Sequence, residues 1–131
     1  MGEAVAFQLV HDVTPWLAGL ERACEYELFD LTVPIIVERV AAGDLLALRI
    51  DRYGLAVLQL IPAKAGKTLT VVAITGVEPK RWLRALVDFV DRLAKDQDCQ
   101  QVLVWGRPGW QRLLKQHGYR QRLTGLTRAI A

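Results

Sequence analysis

No serine occurs among the 131 residues, and cysteine and histidine occur only twice each. The missing serine removes the Ser–His–Asp class of nucleophilic catalysts. Cys24 and Cys99 stand far apart, form neither a disulfide framework nor a metal motif, and read as two reduced, buried thiols. His11 and His117 have no cysteine or carboxylate at ligand spacing, so no metal site is expected. No apolar run approaches the ~20 residues of a membrane span. The opening MGEAVAFQLVHD has neither the basic start nor the long apolar stretch of a signal peptide. A cytoplasmic protein with no membrane partner is expected. Repeats, low-complexity tracts and linkers are also absent, so residues 1–131 are expected to form one domain.

What the chain does have is apolar content, 52%, enough for a sizeable core. Its charge is unevenly placed. Residues 1–44 hold eight acids and two bases, residues 45–98 nine bases and six acids, and residues 99–131 six bases and no acid. The basic half suits an anion, a nucleic acid, an acidic protein or the chain's own acidic third. Few aromatics interleave with the bases, so a nucleic-acid partner is not expected.

AVAFQLV reads as a short first strand. In TPWLAGLERACEYEL, Thr14 is the expected N-cap and Pro15 the first helical residue, with Leu17, Leu20, Cys24 and Leu28 at helical spacing. TVPIIVERVAAG repeats the pattern, with Thr32 as cap and Gly43 as terminator. LLALRID, YGLAVLQLIPA and KTLTVVAIT then read as strands, and the last two are apolar on both faces. PKRWLRALVDFVDRLAKDQ is the clearest helix, its apolar stripe running through Leu83, Leu86, Val87, Val90, Leu93 and Ala94. QVLVW is a central strand, RPGWQRLLKQHG a short helix, and YRQRLTGLTRAI a closing strand with a bulge or bend at Gly125. The order β-α-α-β-β-β-α-β-α-β gives an α/β (α+β) protein. Its central sheet is mixed, with helices on both faces, and the crossover from 68 to 105 makes one parallel pair.

This order, with GRPGWQRLLKQHGY after the fifth strand and the Gly118–Tyr119 pair closing its helix, resembles the GNAT acyl-CoA N-acyltransferase family. The opening VTPWL…CEYELFDL is similar to that of short GNAT-like proteins of bacteriophages and prophages, which would add a virion-associated location. The resemblance implies acetyl-CoA as cofactor, if the protein is active, and an amine as acceptor. It places the pyrophosphate at the start of the helix after the fourth strand, where free N–H groups and the helix dipole favour an anion. The family pattern there is Arg/Gln-x-x-Gly-x-Gly/Ala, and this chain has Glu78-Pro79-Lys80-Arg81-Trp82-Leu83. Glu78 brings a negative charge, Pro79 removes an N–H, and Arg81 and Leu83 replace small residues. The tyrosine that serves the family as general acid falls on Leu114, which cannot carry a proton. A frequent asparagine falls near Arg107.

Lys80, Arg81, Arg84 and Arg107 are therefore the candidate anion or CoA-phosphate residues. Lys80 and Arg84 are spaced for one helical face, and the same bases could equally form a solvated face balanced by Asp88 and Asp91. Glu25, Glu27 and Asp30 fall where the resemblance puts the acceptor site, and would suit a cationic amine. They could equally form an exposed acidic turn. No catalytic residue is identified. The reading that follows is a GNAT-like binding or structural module, weak or silent in catalysis, with a degenerate acetyl-CoA loop. The alternatives are an acetyl-CoA-dependent N-acyltransferase and, on the basic half alone, a nucleic-acid-binding protein. A homodimer or partner contact through residues 119–130 is expected, because the last strand lacks the hairpin partner many GNAT proteins place after it.

Overall fold

The structure, a computed structural model, describes residues 4–24, 31–63, 66–104, 108–122 and 125–129. Strand β1 (Phe7–Val10) leads through a 3-10 turn, Thr14–Trp16, into helix α1 (Leu17–Cys24), followed by α2 (Val33–Ala42). Three antiparallel strands follow: β2 (Leu46–Ile50), β3 (Gly54–Ala63) and β4 (Gly66–Gly76). A second 3-10 turn, Pro79–Arg81, precedes α3 (Leu83–Asp96), and the chain continues with β5 (Cys99–Val104), α4 (Pro108–Lys115), β6 (Arg120–Arg122) and β7 (Gly125–Ala129). Among the described residues the sheet order is β1-β2-β3-β4-β5-β7-β6, with β4 and β5 the one parallel pair. The α/β class, the mixed sheet and the single crossover of the sequence reading are all present.

Each face of the sheet is covered by two helices. On one side Leu20 and Ala23 of α1 and Ile36 and Val40 of α2 pack on Ala47, Leu55, Val57, Val72 and Ala73. On the other, Leu83, Leu86, Val87, Val90 and Ala94 of α3, with Trp110 and Leu114 of α4, cover Leu48, Ile50, Leu58, Leu69, Val71 and Ile74. Coverage on both faces is why β3 and β4 read as apolar runs and not as alternation. A β-bulge interrupts β4. Leu58 pairs with Val71 and Val57 with Ala73, so Val72 is an extra residue. Val72 and Ala73 therefore both face α1 and α2, and Ile74 returns to the α3 side.

Three local expectations are corrected. The first helix is entered through Asp12, whose carboxylate accepts from the Thr14 N–H and hydroxyl, while Thr14 itself lies inside the 3-10 turn. The third helix starts at Leu83 and not at Pro79: Glu78 adopts a left-handed φ of 54°, Pro79–Arg81 form the 3-10 turn, and Trp82 departs from helical geometry. The closing segment is two strands. β6 pairs with β7, and β7 pairs antiparallel with β5, so the last strand has a hairpin partner made from its own first half. Among the described residues of the contact expected through 119–130, the three-residue β6 is the free edge. Thr32 does cap α2, accepting from the Ile35 N–H at 3.4 Å, and Gly43, at φ 85°, ends it.

Candidate functional site

Among the described residues β4 and β5 pair from Lys67 and Cys99 up to Val71 and Val104, and β4 continues to Gly76 paired with β3. The region beyond the carboxyl ends of two parallel strands is the usual ligand position in such sheets. Here it is bordered by the segment 77–82, the start of α3 and the start of α4.

Segment 77–82 is tied to itself. Arg81 and Trp82 N–H groups donate to the carbonyls of Glu78 and Pro79 at 3.0 and 3.2 Å. The Trp82 side chain, 1% exposed, turns inward, and its indole N–H donates to the Val77 carbonyl at 2.6 Å. Its ring lies so close to Gly76 that an added Cβ there would stand 3.0 Å from Cζ2 and 2.9 Å from the Tyr53 carbonyl oxygen. The Trp110 ring packs on Trp82 at 5.4 Å between centroids, tilted by 49°. Trp110 is buried, and its indole nitrogen has no hydrogen-bond partner among the described residues.

The three described basic candidates do not converge. Arg81 Nε bonds Glu78 Oε1 at 3.1 Å, and its guanidinium is held more firmly protonated than usual, first by the Glu78 charge and then by a hydrogen bond with the Tyr53 side chain. Arg84 pairs with Asp88 at 3.6 Å along α3. Lys80 is exposed in the 3-10 turn, one element before Arg84, so the expected shared helical face does not form. Arg107, Glu25, Glu27 and Asp30 lie outside the described residues. Yet α3 begins without a side-chain cap, and no acid lies in its first turn. Its first amides are open to an anion.

Ionisable chemistry is sparse at the strand end. Thr68, Thr70 and Thr75 are the buried polar residues of β4, and Thr70 Oγ1 has no partner among the described residues. Leu114 is buried in the core, so no proton donor stands at the family's tyrosine position. Gly118, at φ 88°, and Tyr119 close α4: their N–H groups donate to Lys115 and Leu114 carbonyls, and the Tyr119 side chain is buried. The Gly-aromatic pair is thus a helix C-cap with its apolar contact. A cleft of about 160 Å³ separates α3 from the end of α4, lined by Arg84, Val87, Asp88, Gln116 and His117. Among the described residues no group of three His, Cys, Asp or Glu is gathered to hold a metal. No helix of the described residues is long and apolar enough to cross a membrane.

No family model matches the chain, and no curated protein matches it. Among solved structures it is similar to AtaTR bound with acetyl-CoA, at TM-score 0.64 and 14% identity over 96% of this chain and 93% of that one. It is similar to GCN5 of Tetrahymena, at 0.59 and 13%, over 96% of each chain. It also matches N-acetylglutamate synthase of Neisseria gonorrhoeae, complexed with coenzyme A and N-acetyl-glutamate, at 0.65 and 15%, with all of this chain on 36% of that one. The chain has the GNAT acyltransferase fold. The resemblance puts the cofactor loop at 78–83; the bond from the Trp82 indole to Val77 and the place of Tyr53 beside that segment were not read from the residues. The only available signal was a tryptophan directly ahead of the first apolar position of a helix.

Proposed function

We propose that this GNAT-fold protein is a binding or structural module, weak or silent as a catalyst, with a degenerate acetyl-CoA loop. The observation that carries the reading is Trp82, buried and bonded to Val77 in the segment where the fold's cofactor loop would expose its backbone. Glu78 supports it, because its carboxylate lies in the same segment as the amides that would meet a pyrophosphate. The partner is a protein. Support comes from AtaT, solved with the C-terminus of its antitoxin AtaR, which shows that a chain of this fold can serve as one half of a protein complex. The resemblance of the opening segment to phage and prophage proteins makes a mobile-element setting part of the reading, with a cytoplasmic or virion-associated location.

One observation favours a second reading, an acetyl-CoA-dependent N-acyltransferase: the start of α3 is uncapped and free of acid. In that reading Lys80, Arg81, Arg84 and Arg107 meet CoA phosphates, and Glu25, Glu27 and Asp30 receive a cationic amine. Calorimetry with acetyl-CoA separates the two. The module reading expects weak or no binding. A dissociation constant in the low micromolar range, ~−8 kcal/mol, would overturn it in favour of the enzyme.

A further inference from the structure

The two edges of the sheet are built differently. β6 is three residues long and carries Arg120 and Arg122, so it is both short and charged, two of the devices that keep sheet edges from pairing. β1 has neither. From Ala4 to Val10 the chain carries no charge and no proline, and its register with β2 runs without a bulge.

The ladder shows which groups β1 leaves open. The Asp51 N–H donates to the Ala6 carbonyl at 2.7 Å, and Gln8 and Val10 pair with Arg49 and Ala47. Antiparallel alternation then gives the peptide groups of Ala6, Gln8 and Val10 to β2 and turns those of Phe7 and Leu9 outward. On the same face, the Phe7 ring lies 4.8 Å from that of Phe89, and Leu9 is 57% exposed, a large apolar side chain at the open edge.

We infer that β1 is an association edge whose partner is β1 of a second copy of this chain, paired antiparallel about a two-fold axis at Phe7. That register is self-complementary. The outward groups of Phe7 meet their own copies, and those of Leu9 meet Val5. Phe7 stands opposite Phe7, and the two Phe7–Phe89 pairs join into one aromatic cluster across the axis. Leu9 is covered by Val5. No like charges oppose each other, because the segment has none, whereas self-pairing of β6 would bring arginines together. The result is a sheet continuous through both copies.

Sedimentation velocity on the full chain across micromolar concentrations tests this, with amide hydrogen exchange read on the same samples. The expected result is a dimer in which the Phe7 and Leu9 amides are protected at high concentration and exchange on dilution. Leu9→Pro removes an N–H that the ladder with β2 turns outward, and Leu9→Lys places a charge at the edge. Both should weaken the dimer at least about tenfold with an unchanged circular dichroism spectrum. If Leu9→Pro disturbs the fold, Leu9→Lys alone decides. A strict monomer overturns the inference. So does a dimer that survives Leu9→Lys, a dimer whose Phe7 and Leu9 amides stay unprotected, or one lost on Gln121→Pro, which would place the contact at β6.

Discussion

The indole N–H of Trp82 donates to the carbonyl of Val77, five residues earlier, at 2.6 Å. This bond folds the segment before α3 over its own side chain. Trp82→Phe keeps most of the apolar contact with Trp110 and removes the donor, and should cost about 1 kcal/mol. Trp82→Ala removes the ring as well and should cost about 3–5 kcal/mol. Urea unfolding of the two variants checks the ratio. Equal losses would show that the ring does not support the segment.

Gly19 of α1 sits directly against Thr75 of β4, and a Cβ at position 19 would overlap Thr75 Oγ1. Gly19→Ala gains helix propensity but drives α1 off the sheet, for a net loss of about 1–3 kcal/mol. Gly19→Ala combined with Thr75→Ala should recover part of it, and thermal melts of the single and double variants give the coupling.

Glu78→Gln leaves the shape of the segment and removes its negative charge. Any affinity for CoA or pyrophosphate should rise about threefold, the effect of one charge several ångströms away through water. Stability should barely change, since the Glu78–Arg81 pair is more than half exposed. An unchanged affinity, measured by calorimetry beside the parent, would remove Glu78 from the account of the loop.

Much of this fold is legible in the residues because its signals are local. The α3 stripe from Leu83 to Ala94, the Thr32 cap and the Gly43 stop need only helix geometry to be read. The misreadings come where one signal serves two structures. Proline at a first position opens a 3-10 turn as readily as an α-helix, which is how the start of α3 was placed at Pro79. Gly125 suits a bulge, a bend or the start of a returning strand, and only the pairing of β7 with β5 chooses. The arrangement of the candidate segment was not legible: Pro79–Arg81 form a 3-10 turn, so Lys80 and Arg84 share no helical face. The balancing of Arg84 by Asp88 follows from their spacing along one helix, whereas the Glu78–Arg81 pair depends on the turn that Pro79 opens.

Two titrations carry predictable signs. Asp12 has its carboxyl pKa lowered, first by the Thr14 hydroxyl and then by the Thr14 amide. A lowered folded pKa adds stability above the ordinary carboxyl value, lost as pH falls through the folded one. NMR titration should find Asp12 below that ordinary value, and Thr14→Ala should move it up.

Cys99 titrates the other way. Burial raises its thiol pKa, against the nearby Lys67 charge. The fold therefore favours the neutral thiol, and stability should fall as pH rises past the ordinary thiol value of about 8.5. Alkylation of Cys99 should be slow in buffer and fast in urea. Fast alkylation of the folded chain would contradict its burial.

Strand β4 has one position at which its length and its sidedness come apart. Removing a residue from a regular central strand exchanges the two faces of everything downstream. At Val72 the count is already one too many, so removing that residue would set Val71 beside Ala73 in an unbroken ladder with β3. Ala73 and Thr75 would still face α1, and Ile74 would still face α3. The chain would lose one buried valine while keeping its layers. A deletion, ordinarily the harshest change a core strand can suffer, would there act like a large-to-small substitution.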